Sequence, residues 1–253
     1  MLKEIRARLQ QKKRTVAFPD GEPVLPDRLR GRPAIHQTRC VMSCKKCLAV
    51  CPTRAISRTG ETLSIDLGKC LFCGACTDIC AENAIEFRVE PRLAARHRED
   101  LIVNDETVKV AEALDKKAKS LFGRSLKLRQ VSAGGCGACE ADTNVLTTVV
   151  FDLGRFGIQF VASPRHADGL LITGPVTENM KLALLKTYAA TPSPKLVIAV
   201  GACAISGGPF ADLTEVNNGL GNILPVDLYV PGCPPHPITI LDGLLRLLGR
   251  IKK

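Results

Sequence analysis

The sequence predicts an α/β protein, a doubly wound parallel sheet preceded by a smaller, cysteine-rich α+β domain. Three observations carry this prediction. Residues 126–253 alternate unbroken aliphatic runs with helical stretches, residues 36–90 contain one cysteine run written twice, and all twelve cysteines fall into clusters. At 253 residues the chain has room for one large or two ordinary domains. It divides into a basic extended arm (1–35), the cysteine-rich domain (36–90), a linking helix (91–125) and the α/β domain (126–253). With 45% hydrophobic residues, 4% aromatics and no Trp, the core is expected to be aliphatic.

The net charge is +10, and the arm holds half of it, nine basic against four acidic side chains in residues 1–35. Residues 1–14 have helical spacing (Leu2, Ile5, Leu9), whereas Pro19, Pro23, Pro26 and Pro33 with Gly21 and Gly31 forbid regular structure further on. That stretch reads as an extension lying on a partner surface. A basic arm can serve an acidic protein, an anionic membrane or nucleic acid, or simply be solvated. One Phe, no repeated aromatics and no nucleic-acid fold leave a protein partner as the favoured reading.

Cysteine usage bounds the compartment. The N-terminus is basic but lacks an apolar stretch and a small-residue cleavage site, so no secretory signal is expected. No apolar run approaches bilayer length, and membrane attachment is expected only through partners. The thiols should therefore be reduced, in the cytoplasm, and available as ligands instead of forming a disulfide framework.

The repeat reads Cys40-x3-Cys44-x2-Cys47-x3-Cys51-Pro52 and then Cys70-x2-Cys73-x2-Cys76-x3-Cys80-Ala81, each half closing on an Ala-Ile step, Ala55-Ile56 and Ala84-Ile85. This is the run of bacterial two-cluster ferredoxins, in which the fourth cysteine of each run serves the other cluster. A small α+β ferredoxin-like domain with two 4Fe–4S clusters follows. Cys40, Cys44, Cys47 and Cys80 would hold the first cluster; Cys70, Cys73, Cys76 and Cys51 would hold the second. The runs depart from the pattern at the longer first spacer and at Ala81. Zinc is the alternative occupant of such pairs.

The polar-then-helical stretch 91–125 has apolar residues at Val108, Ala111, Leu114, Ala118 and Leu121, which predicts a linking helix stopped at Gly123. Beyond it the strands are expected at 127–132, 158–162, 169–173, 195–200 and 226–230, and the helices at 140–150, 178–190 and 237–248. Runs such as GLLIT and KLVIAV are unalternating, as strands covered on both faces are. The outline is flavodoxin-like, without the glycine signature of a nucleotide site.

Four cysteines remain. Cys136 and Cys139 follow the first strand, Cys203 the fourth and Cys233 the fifth, each among glycines or prolines (Gly134, Gly135, Gly207, Gly208, Gly232, Pro234, Pro235). Ligands of open parallel sheets gather beyond the carboxyl ends of the strands, so three strand ends delivering four thiols point to one site. It has no open position for a substrate. Zinc and unligated core thiols are the alternatives.

The blocks GGCGACEAD, RFGIQFVASPRHADGLLITGPVTENM, AVGACAISGGPF and VDLYVPGCPPHPITILDGLL together resemble the small subunit of NiFe hydrogenases. The resemblance is to the energy-converting, formate-hydrogenlyase type, which is sister to a cluster-bearing core subunit of respiratory complex I. It covers residues 127–248, and residues 36–90 resemble the separate two-cluster ferredoxin-like subunit of such enzymes, here fused. The resemblance implies that Cys136, Cys139, Cys203 and Cys233 bind a proximal 4Fe–4S cluster, for three clusters in all. The nickel–iron centre would lie in a partner large subunit. Complex I subunits have adjacent cysteines where this chain has Cys136-x2-Cys139, which favours the hydrogenase branch.

The implied protein is an electron-transfer subunit of a cytoplasmic-facing NiFe hydrogenase, an oxidoreductase component that is not catalytic alone. Its expected partners are the large subunit, other iron–sulfur or membrane subunits, and a ferredoxin or dehydrogenase module. Its expected place is the cytoplasm or the cytoplasmic face of the inner membrane. Glu140, after Cys139, resembles an acid near the active-site interface and is a candidate proton relay; it also suits a helix N-terminus. Arg165 and His166 are expected to shape the subunit interface, and Lys45, Lys46 and Lys69 to guide an acidic ferredoxin or balance anionic clusters. A nickel-free relative of complex I is the first alternative. A zinc scaffold or nucleic-acid module is the second.

Overall fold

The computed structural model describes residues 2–105 and 109–251. The chain opens with helix α1 (Leu2–Gln11), which buries no residue. From Thr15 the arm runs over the chain's own surface. The Val16 amide donates to the Val150 carbonyl at 2.9 Å, and Arg155 donates to the carbonyls of Val16 and Phe18. The physical reason is local: Val16 and Phe18 are apolar, and Phe18 is buried in the core of the α/β domain.

The cysteine-rich domain follows as β1 (Arg32–Ile35), α2 (Lys46–Val50), β2 (Ile56–Thr59), β3 (Thr62–Asp66), α3 (Ala75–Asp78) and β4 (Ile85–Arg88). β1 pairs antiparallel with β4, and β2 with β3. The β2–β3 sheet continues beyond residue 90 into β5 (Ile102–Val103), which pairs with β3.

The predicted linking helix is much shorter, α4 (Lys116–Phe122). Asp115 caps it, its side chain accepting from the Ala118 amide at 2.8 Å. The preceding turns cannot form because their amides are used elsewhere. Ala111 donates to the Ala94 carbonyl and Leu114 to the Leu247 carbonyl. Phe122, not the exposed Leu121, faces inward, and Val108 lies outside the described residues.

The α/β domain is built from β6 (Leu126–Ser132), α5 (Ala138–Val145), β7 (Ile158–Phe160), β8 (Gly169–Thr173), α6 (Glu178–Ala190), β9 (Leu196–Val200), α7 (Ala202–Ser206), β10 (Leu228–Val230) and α8 (Pro237–Leu247). All five strands are parallel, in the order β10-β9-β8-β6-β7. Numbered within the sheet this is 2-1-3-4-5, the flavodoxin-like order, with its switch point between β6 and β8. Helix α5 ends at Val145, five residues short of the predicted 150, and turns follow.

Alternate strand residues point to opposite faces. Leu126, Leu128, Leu171, Ile198 and Val200 face α8 and Phe18. Val131, Leu170, Ile172, Val197 and Ala199 face a second core that contains Leu184 of α6, Ala204 and Ile205 of α7, and Ile35, Leu63, Ile65, Cys47 and Cys76 of the cysteine-rich domain. The smaller domain thus covers part of one face of the sheet. The Ser206 hydroxyl donates to the Gly68 carbonyl at 2.8 Å across this seam.

Candidate iron–sulfur sites

All twelve thiols are free and fall into three groups of four. Helix α2 carries Cys47 and ends at Cys51; α3 carries Cys76 and is followed by Cys80. The quasi-twofold arrangement sends each fourth cysteine to the opposite group. Cys40, Cys44, Cys47 and Cys80 line one cavity of about 440 Å³, with Lys45 and Lys46 at its wall. Cys51, Cys70, Cys73 and Cys76 line a second, tighter one of about 20 Å³, closed by Pro52, Ile65 and Phe87.

Backbone amides point at these sulfurs. Ala55 N lies 3.3 Å from Cys51 Sγ, Ala84 N 3.3 Å from Cys80 Sγ, and Phe72 N 3.3 Å from Cys70 Sγ. The first two pairs are equivalent in the repeat, four residues beyond the fourth cysteine of each run. Such donors stabilise negative charge on sulfur. Cys40 has a different donor, a side chain to which no motif in the sequence points. Arg58 Nη2 lies 3.0 Å from its Sγ.

The third group forms at the carboxyl ends of β6, β9 and β10. Cys139 sits in the first turn of α5, Cys203 in α7, and Cys233 three residues after β10. Two bonds tie the last two loops together: Gly201 N donates to the Val230 carbonyl and Ala202 N to the Gly232 carbonyl, both at 2.8 Å. The sulfurs rest against bare backbone. A Cβ on Gly201 would lie 2.5 Å from Cys139 Sγ, and one on Gly208 2.9 Å from Cys203 Sγ. Both glycines also have positive φ, +91° and +56°, so no other residue fits there without strain.

Electrostatics make the groups costly as bare thiolates. Burial and then the neighbouring sulfurs push Cys76 up to about 11 and Cys203 up to about 12. Burial raises Cys139 further, reinforced by Cys203, Glu140, Cys233 and Cys136. A cationic occupant would remove that repulsion. Among the described residues no three of these side chains converge closely enough for a single metal ion. Zinc, with Zn–S bonds of about 2.3 Å, fits the donor set less well than a larger iron–sulfur group.

The sulfurs couple the groups in sequence, the first to the second and the second to the third. Cys47 of the first raises Cys76 of the second, and Cys73 of the second raises Cys233 of the third. Cys73, Cys136 and Cys233 are exposed, whereas Cys47, Cys76 and Cys203 are buried.

Glu140 spans the switch point. Its Oε1 accepts from the Ser132 hydroxyl at the end of β6 and from the Thr173 hydroxyl at the end of β8, both at 2.6 Å. Burial works to raise its pKa, but these two donors outweigh it and hold the carboxyl below the ordinary value. Arg165 and His166 lie on a short 3-10 turn, Pro164–His166, after β7. No hydrogen bond joins either to a cysteine among the described residues. Lys69, whose carbonyl accepts from Thr53, immediately precedes Cys70.

Comparison with known proteins follows the same division. Residues 136–247 match the family described as NADH ubiquinone oxidoreductase, 20 kDa subunit. Residues 32–81 match the 4Fe–4S dicluster domain. Formate hydrogenlyase subunit 7 of Escherichia coli is 42% identical over 153 residues, 60% of this chain and 58% of that protein. The match therefore spans little more than half of that relative's length. A probable membrane-bound hydrogenase subunit mbhJ of Pyrococcus furiosus is 43% identical over 132 residues, 52% of this chain and 79% of that one. An NADH-quinone oxidoreductase subunit of Bacteroides fragilis is 36% identical over 180 residues, 66% of this chain and 91% of that one.

Proposed function

The chain belongs to the NADH ubiquinone oxidoreductase 20 kDa subunit family, joined to a 4Fe–4S dicluster domain, and on that premise we propose that it is the electron-transfer subunit of an energy-converting NiFe hydrogenase complex. Family membership makes it a subunit of an oxidoreductase complex. The observation that carries the rest is the presence of three four-cysteine groups. Cys40, Cys44, Cys47 and Cys80 would hold one 4Fe–4S cluster, Cys51, Cys70, Cys73 and Cys76 a second, and Cys136, Cys139, Cys203 and Cys233 a third. When bound, such clusters accept and pass single electrons.

The chain's own contribution is binding and rigidity. Strand ends fix the third group, amides of Ala55, Phe72 and Ala84 offset negative charge on the first two, and a shared core packs the smaller domain against the sheet. Low reorganisation suits electron transfer. In this reading a large subunit carries the nickel–iron centre and sits against the exposed side of Cys136. The remaining partners are further iron–sulfur or membrane subunits and a ferredoxin or dehydrogenase module. No described helix is long and apolar enough to cross a membrane, so a place on the cytoplasmic face would come through those partners. Glu140 would serve as a proton relay at that interface, in addition to joining β6 to β8.

The Cys136-x2-Cys139 spacing favours the hydrogenase branch over a nickel-free relative of complex I, whose subunits have adjacent cysteines there. The test is metal content and hydrogen-dependent viologen reduction of the complex purified anaerobically on this chain. Roughly twelve Fe attributable to this subunit, with nickel and activity, is the expected result. The same iron without nickel or activity would move the assignment to the nickel-free branch. Iron near four would reject the clusters of the smaller domain.

A further inference from the structure

The two halves of the smaller domain correspond from the fourth cysteine of each run onward, and seven residues beyond it they carry different side chains. Seven residues after Cys80 stands Phe87 on β4, which lines the second cavity and packs against Phe72 with ring centroids 6.4 Å apart. Seven residues after Cys51 stands Arg58 on β2, whose guanidinium donates to Cys40 Sγ at 3.0 Å. The same guanidinium reaches Met42 Sδ at 3.7 Å through Nη1, and its buried Nε has no partner. It forms no ion pair with a carboxylate among the described residues.

The longer first spacer explains why a side chain is used. In the second run Cys70 Sγ accepts from the amide two residues on, Phe72 N. In the first run, which has an extra residue between Cys40 and Cys44, the equivalent amide belongs to Met42, and among the described residues it makes no bond to Cys40 Sγ. Among the described residues Arg58 is the one donor to Cys40 Sγ. It replaces a neutral donor with a cationic one and clamps the enlarged loop through Met42.

We propose that Arg58, by its charge-assisted hydrogen bond to Cys40 Sγ, raises the reduction potential of the cluster held by Cys40, Cys44, Cys47 and Cys80 above that of its quasi-symmetric neighbour. The inference rests on the assignment of that group as a cluster site. Reduction adds negative charge to the ligand sulfurs, and a cationic donor favours the reduced state more than a neutral one does. The second cavity, with Phe87 in the equivalent place, lacks that assistance. Of the two groups in the smaller domain the first is thereby the better electron acceptor, and Arg58 is a positioning and tuning residue that need touch no substrate.

The experiment is an anaerobic redox titration of the purified complex followed by electron paramagnetic resonance, with iron counted on the same samples. Arg58→Met removes both the charge and the donor. Arg58→Lys keeps the charge without the fork. In Arg58→Met one cluster signal is expected to become harder to reduce by about tenfold in its one-electron equilibrium, about 59 mV. The other signals should stay in place, and Arg58→Lys should recover part of the shift. Unchanged midpoints in iron-replete Arg58→Met overturn the inference, as does an equal shift of every signal. Should Arg58→Met lose iron, Arg58→Gln and Arg58→Lys are compared, and identical midpoints in those two overturn it. A wild-type complex without any cluster signal defeats the underlying site assignment instead.

Discussion

Glu90 illustrates what a single side chain contributes here. It follows β4 by two residues and accepts three bonds from Arg92, from the backbone amide at 2.9 Å, Nε at 2.7 Å and Nη2 at 2.8 Å. Burial works to raise its pKa, but these bonds and the charges of Arg92 and Arg32 prevail and hold it below the ordinary 4.5. A depressed folded-state pKa means stabilisation fully present above the unfolded value and lost as the pH falls through the folded one. Glu90→Gln should therefore cost about 1 kcal/mol at neutral pH, the scale of a partly exposed pair with good geometry. In urea denaturation its difference from wild type should hold constant down to about pH 4.5 and shrink below it. A difference that grows toward acid would contradict the assignment. The thiols follow another logic, because their mutual repulsion is removed by an occupant and not by a neighbouring cation.

Helices and strands were not equally readable. The five expected strands became the five parallel strands; β8 and β9 are buried throughout and need no periodicity, whereas β6 alternates. The linking helix failed where its apolar spacing looked regular, because the amides of Ala111 and Leu114 pair with Ala94 and Leu247 instead of with their own turns. Helix α1 has the opposite character: its spacing is helical and its apolar residues remain uncovered, with Leu2 82%, Ile5 50% and Leu9 72% exposed. Removing residues 1–11 should consequently leave unfolding free energy within about 0.5 kcal/mol of wild type, as for surface changes away from packed features. Thermal unfolding of the truncated chain checks this, and a fall of several degrees would mean that α1 packs against the body.

At the scale of the whole molecule, the two cysteine-bearing domains share one apolar core. Ile205 of α7 lies in the second core with Leu63 and Ile65, and a Cβ on Gly68 would come within 2.7 Å of its Cγ2. Truncating this side chain removes packing from both sides of the seam. Ile205→Ala should cost about 2–4 kcal/mol, and cluster absorbance and far-ultraviolet circular dichroism should be lost in one coincident transition. Two separated transitions would show that the domains unfold independently. The shared core also explains why a single chain suits the three sites: the smaller domain is held to the sheet by packed side chains.

Chain-local information determined much of this protein. The cysteine run written twice, the Ala-Ile step closing each half, the aliphatic runs and the glycines before Cys136 and after Cys203 are legible because their causes lie within a few residues. The grouping of Cys136 and Cys139 with Cys203 and Cys233 was legible only through the rule that parallel strands present their ends on one edge. Tertiary structure alone decided what depends on residues distant in sequence. It laid the arm on the chain's own surface, started the linking helix late, placed the smaller domain against one face of the sheet, and brought the Arg58 guanidinium to Cys40. Each of these depends on which backbone groups and apolar faces find partners far along the chain, and such pairings leave no periodicity or motif to read.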